Sequence, residues 1–262
     1  MIITDVRDIL ARHKTKVWKQ RNLSDIKGVV FHQALCDSTL EQVNKYHISN
    51  NNHISVSGCP RICYAVWIDK EGEAFLCNNL EDITWSQGGM SRPFPKWQAN
   101  TNYVGVCFQG DFSGAEHIGN DVPSIKQLQT GVEVWQWLFN MLHLSQLDLF
   151  GHYHFGKPAC PGSDIMKLIE NTRETGLQEL LPKSNIEWQQ LLKTLGYNLG
   201  TSGLNKDGVD GDWGGLSRQA LINFQKDCGV VMSAIQDTVT QQMLAWEVLR
   251  VTKSEIKPYR NK

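Results

Sequence analysis

Between residues 26 and 175 short apolar runs alternate with helical stripes, and this alternation restricts the fold more than any other feature of the chain. Residues 26–32, 62–68, 73–76 and 103–108 read as short buried strands. The second is expected to place Ile62, Tyr64, Val66 and Ile68 on one face and to turn through residues 69–72 into the third. Helices are expected from a capping box at Ser38 and Glu41 to about Tyr46, and from a cap at Ser124 and Gln127 through a stripe of Leu128, Val132, Trp135, Phe139 and Leu142. Another should start at Ser163-Asp164. Strands and helices in this order predict an α/β fold, a mixed central sheet with helices packed on its faces. Ahead of it, residues 1–25 read as a short amphipathic helix carrying Val6, Ile9 and Leu10, then a polar connector.

The pattern breaks over residues 173–185, which predicts a first domain at 1–175, a linker at 176–184 and a small helical domain at 185–262. Three apolar stripes, Trp188 to Leu195, Ala220 to Phe224 and Met243 to Val248, give that second domain three helices. Between the first two stripes, Asp207, Asp210 and Asp212 suggest a calcium loop. No Glu stands twelfth from Asp207 or Asp210, so a Gly/Asp turn capping the next helix is the better reading.

A net charge of −1 without a long basic run argues against nucleic acid as a partner. The first residues are charged from Asp5 onward and carry no apolar signal segment, and no stretch is apolar enough to span a bilayer. Seven cysteines without a regular frame fit a reducing compartment, a Cys59–Cys63 bridge being the lesser alternative. The nine tryptophans fit core packing, or sugar faces where exposed.

His152 and Cys160 stand eight residues apart ahead of a Pro161-Gly162 turn, which looks like half of a metal site. A catalytic zinc takes three protein ligands and leaves its fourth position open. His32, at the end of the first long strand, is placed where ligands of α/β sheets gather and supplies the third. His47 and His53 read as loop or surface residues facing substrate, and Cys107 as a small buried hydrophobe. The long loop of residues 85–102, with Trp85, Gly88-Gly89, Pro93, Pro95 and Trp97, is a functional candidate by its length. A cysteine peptidase using Cys160 is the competing chemistry; Pro161-Gly162 argues for a ligand turn instead of an activating helix N-terminus.

His32 at its strand end, Tyr64 within residues 63–72, residues 103–107, and His152 with Cys160-Pro161-Gly162 together resemble the type-2 N-acetylmuramoyl-L-alanine amidases, which include phage lysozyme-amidases and peptidoglycan recognition proteins. The resemblance covers residues 24–172 and implies the fold of that family, with zinc held by His32, His152 and Cys160. It maps the catalytic tyrosine of the phage members onto Tyr64, eight residues before the hairpin glycine Gly72. The chain departs from the family two residues before the cysteine, where a Lys, Thr or Arg is usual and Pro158 stands; Lys157, one residue earlier, is the substitute candidate. Residues 184–249 resemble a three-helix peptidoglycan-binding module through residues 191–197, 209–214 and 220–225. The resemblance as a whole implies a monomeric phage endolysin that cuts the amide between the lactyl group of N-acetylmuramic acid and L-alanine. Such a protein gathers in the host cytoplasm before lysis, and its partner is peptidoglycan, neither nucleic acid nor membrane. A non-catalytic peptidoglycan receptor, a virion-associated hydrolase and a bacterial autolysin are the alternatives.

Overall fold

The computed structural model describes residues 2–88, 98–114 and 121–252, in two compact units, residues 1–174 and 175–262. Pro93, Pro95 and Trp97 of the long loop lie outside the described residues.

The first unit is built on a sheet of six strands: β1 (Ile3–Asp5), β2 (Gly28–Gln33), β3 (Val66–Ile68), β4 (Ala74–Leu76), β5 (Tyr103–Phe108) and β6 (Leu149–Gly151). Their order is β1-β4-β3-β5-β2-β6. Among the described residues, β3 and β4 are the one antiparallel strand pair, a hairpin, and the other strand pairs are parallel. β2 and β5 are the long central strands, and every residue of both is buried. This is why they read as continuous apolar runs. One face packs Val29, Phe31, Val104, Val106 and Phe108 against α3 (Ile125–Leu142) and the first half of α4 (Ser163–Leu180). The other packs Trp67 and Cys107 against Leu40 and Val43 of α1 (Leu40–Ile48).

Four local expectations are corrected. Residues 6–10 form one turn, not a helix: Leu10 N–H donates to the Val6 carbonyl while Val6 N–H donates to Leu76, so the N-terminus is spent as edge strand β1. The box on α1 is shifted by one residue, with Thr39 as cap and Gln42 closing it. In α3 Trp135 is buried as expected and Leu128, Phe139 and Leu142 pack against the core, but the buried line is centred further round, on Gln127, Gly131, Val134 and Leu138, because the missing side chain of Gly131 admits the Phe108 ring; a Cβ there would stand 2.7 Å from Phe108 Cζ. Finally, the face shared by residues 62–68 is broken. Ile62 and Tyr64 pack with Trp67, whereas Val66 and Ile68 lie in the opposite core. Main-chain pairing begins only at Ala65, whose N–H donates to the Gly105 carbonyl, and ahead of it the main chain is held by side chains: Asn44 Oδ1 accepts from Ile62 N–H (2.8 Å), His47 Nδ1 from Cys63 N–H (3.1 Å), and Asn78 Nδ2 donates to the carbonyls of Ile62 and Tyr64.

In the second unit α5 (Asn185–Thr194), α6 (Gly215–Asp227) and α7 (Thr238–Thr252) enclose Trp188, Leu192, Leu221, Phe224 and Leu244. The division from the first unit falls within α4, so the segment expected as a linker is helical as far as Leu180. The Asp-rich loop does not cap α6 with a side chain; its N-cap is Gly214. The buried Gln189 pins the loop instead, donating to Asp210 Oδ1 and the Asp212 carbonyl and accepting from the N–H groups of Asp210 and Gly211.

Candidate metal centre

β2 and β6 run parallel with Phe31 opposite Gly151, so the residues that follow these partners, His32 and His152, emerge side by side at the carboxyl edge of the sheet. Phe31 turns into the core, and alternation sends His32 to the other face, beside Cys107 of β5. After β6 the chain makes a single 3-10 turn over His152–Phe155, and Gly156 takes φ +87°. Tyr153 N–H donates to the Cys160 carbonyl (2.6 Å) and Cys160 N–H to the Lys157 carbonyl (3.0 Å), which folds Cys160 back beside His152. Gln33, the last residue of β2, ties this turn to the sheet: its main-chain N–H points at Cys160 Sγ (3.5 Å) and its side-chain amide donates to the Ala159 carbonyl (2.5 Å).

The close approach requires Gly151. A Cβ there would stand 2.4 Å from Met166 Sδ and 2.8 Å from Pro161 Cδ. Gly151→Ala is therefore expected to destabilise the first unit by about 1–3 kcal/mol, the usual range for overpacking. Urea unfolding of the two proteins measures it, and equal midpoints would refute it.

The two imidazoles face each other with Nδ1 to Nδ1 at 3.1 Å, and the donor atoms of His32, His152 and Cys160 all lie within 4.8 Å of one another. His32 is 1 % exposed, and His152 and Cys160 are each 9 % exposed. Burial, reinforced by the neighbouring His152, holds His32 well below the ordinary imidazole value. Burial likewise takes His152 down to about 4 and pushes the Cys160 thiol up to about 12. At neutral pH the three groups are therefore uncharged. The remote nitrogens explain what the near ones are for. His152 Nε2 faces the main-chain oxygen of Gln87 (3.4 Å), and His32 Nε2 faces the side-chain oxygen of the same residue (2.9 Å). Both oxygens accept, and with the hydrogen on each Nε2 the two Nδ1 lone pairs point together in a buried place. Two lone pairs at this distance repel unless a cation lies between them. Two nitrogen ligands about 2.0–2.1 Å from a tetrahedral zinc stand about 3.3 Å apart, and with the thiolate that Cys160 becomes on giving up its proton to solvent the set is one that zinc favours. The residues fit the metal.

Tyr64 joins the group, its ring centroid 5.3 Å from that of His32. Burial, with the sulfur groups of Cys107 and Cys160 nearby, raises its phenol well above the ordinary value. Lys157 is exposed at the rim of the same cavity, which has a volume of about 650 Å³. His53 and Trp85 line it too. His47 departs from the surface position expected of it: it is buried at the end of α1, 2 % exposed, with its ring against the cavity. Sequence reasoning missed Gln87. It lies in the long loop singled out for its length, but nothing periodic distinguishes it from its neighbours.

A family model described as N-acetylmuramoyl-L-alanine amidase matches residues 22–163. The chain belongs to that family. The match to the N-acetylmuramoyl-L-alanine amidase model contains His32, Tyr64, Gln87, His152, Lys157 and Cys160 and stops short of the second unit. Solved structures similar to the chain include the amidase LysC from Clostridium intestinale URNW, at 15 % identity over 65 % of this chain and 97 % of that one, with a TM-score of 0.46. The Ph2119 endolysin of a Thermus scotoductus bacteriophage is 16 % identical over 66 % of this chain and 99 % of its own, TM-score 0.47. Peptidoglycan recognition protein LE, solved in complex with tracheal cytotoxin, is 16 % identical over 64 % and 92 %, TM-score 0.49. No curated protein matches the chain by sequence. No helix among the described residues is long and apolar enough to cross a membrane.

Proposed function

We propose that the chain is a zinc-dependent peptidoglycan hydrolase that cuts the amide between the lactyl group of N-acetylmuramic acid and L-alanine, and that His32, His152 and Cys160 hold the metal. The observation that carries the reading is the pair of buried Nδ1 atoms 3.1 Å apart, with the Cys160 sulfur in reach, at the floor of an open cavity. When bound there, zinc supplies Lewis acidity for an amide carbonyl and lowers the pKa of water towards neutrality. The protein groups supply the rest. Tyr64, kept protonated by burial, orients the attacking water or gives a proton to the departing L-alanine amine. Lys157 brings a positive charge from the rim towards the oxygen on which negative charge develops. His32 and His152, neutral at working pH, offer lone pairs without first having to lose a proton. A thiol held at about 12 is the reverse of an activated nucleophile, which counts against a cysteine peptidase.

In this reading residues 185–262 bind the wall and keep the hydrolase on it, and the protein is a phage endolysin that collects in the host cytoplasm until lysis. Purified protein should carry one zinc and release fragments with new L-alanine amino termini and no new reducing sugar ends. Exhaustive chelation should abolish the release, and added zinc should restore it. New reducing ends, or digestion that survives chelation, would overturn the proposal.

A further inference from the structure

We infer that Gln87 is a positioning residue that sets the metal-binding tautomer of both imidazoles, its side chain acting on His32 and its main chain on His152. The inference rests on the metal reading above and assigns to a loop residue the task of keeping the two Nδ1 atoms bare.

The direction of the Gln87 amide is fixed from behind. Its nitrogen lies 3.3 Å from the Tyr103 carbonyl of β5, which can only accept, so the amide nitrogen belongs on that side. The amide oxygen is left facing His32 Nε2 at 2.9 Å, and it can only accept as well. The hydrogen of His32 must then reside on Nε2. One residue position thus carries polarity from the middle of the sheet to the metal site in two steps. The main-chain oxygen of Gln87 imposes the same state on His152 at 3.4 Å. The loop is held while it does so. Gln87 N–H donates to Asn100 Oδ1 (2.9 Å), and Asn100 Nδ2 donates to the Gly88 carbonyl (3.3 Å), with Gln87 1 % and Asn100 0 % exposed.

The alternative that Gln87 suppresses is specific. With a hydrogen on His32 Nδ1, that nitrogen would donate across the 3.1 Å gap to His152 Nδ1. Both rings would be satisfied without a metal, and the ligand lone pair of His32 would be gone. Removing the Gln87 oxygen makes this closed pair available, whereas His152, served by the main chain, keeps its own state.

The test uses the full chain, metal-free, with Gln87→Leu to remove the oxygen and Gln87→Glu to return one. Nitrogen chemical shifts of the histidine rings report the tautomers directly. The metal-free wild type should show His32 and His152 with hydrogen on Nε2. Gln87→Leu should move His32, and not His152, towards hydrogen on Nδ1. Zinc affinity by chelator competition should fall about 10–100-fold in Gln87→Leu, as is usual when a partner of a ligand imidazole is lost, and return to within about threefold in Gln87→Glu. The inference is overturned if the wild-type His32 carries its hydrogen on Nδ1, if Gln87→Leu leaves both the His32 tautomer and the zinc affinity unchanged, or if both rings change together. The wild-type spectrum decides even if the leucine variant does not fold. A wild type that shows the expected tautomers yet binds no zinc would sink the metal reading and leave the tautomer assignment standing.

Discussion

His152→Ala is expected to lose zinc and wall-degrading activity together. The substitution leaves His32 and Cys160, one nitrogen and one sulfur, where a catalytic zinc needs three protein ligands. The loss of affinity should exceed the roughly 10–100-fold that an outer partner of a ligand costs, because a bond to the metal itself is removed. Metal analysis after dialysis and turbidity clearing of isolated walls are the two measurements. A variant that retains one zinc per chain, or that clears walls at the wild-type rate, would remove His152 from the set. A second signature follows from the 3.1 Å contact. With the His152 ring gone, burial still depresses His32 but its imidazole neighbour no longer does, so the His32 pKa should rise in the metal-free variant.

Tyr64→Phe should behave in the opposite manner, keeping the metal and losing turnover. The ring stays and continues to pack beside His32, and only the hydroxyl is deleted. If the hydroxyl passes a proton or orients water in the transition state, kcat should drop by about 10²–10⁴-fold with zinc affinity unchanged. Full activity in this variant would show that the hydroxyl takes no part. Loss of zinc would show instead that Tyr64 holds the site together and leaves the proton to another group. The main chain around Tyr64 is fastened by Asn44, His47 and Asn78, so the phenylalanine variant is expected to fold.

The sheet and the three residues that meet at the candidate site were legible in the residue pattern to different depths. β2 announced itself because both of its faces are buried, which leaves an uninterrupted apolar run with His32 near its end. The second unit was equally plain, since three helical stripes with few polar interruptions have no other way to bury themselves. β1 was not legible. It has three residues and pairs with β4 some seventy positions later, and such a partnership leaves no local trace. Residues 62–64 misled for a different reason. Their alternation was that of a strand, but side chains of Asn44, His47 and Asn78 took the hydrogen bonds that a neighbouring strand would have used, and the faces slipped at Ala65. In α3 the apolar side chains do not reveal Gly131, whose empty position is what Phe108 occupies. Gln87 belongs with these. Its role depends on where two carbonyl oxygens point, and that is set by the path of the loop and by Asn100, not by the identity of its neighbours.

The cavity has two walls of unlike origin. On the metal side, His32 and Gln33 end β2, and His152, Phe155, Lys157 and Cys160 belong to the tight turn that follows Gly151, anchored in the buried sheet. Across from it, Ser38, Gln42, Tyr46 and Ile54 come from α1 and its flanking segments, outside the sheet. Under the proposed function this separates chemistry from recognition. Exchange of residues on the α1 side could retarget the hydrolase to a different stem peptide while the bond-breaking apparatus is inherited intact.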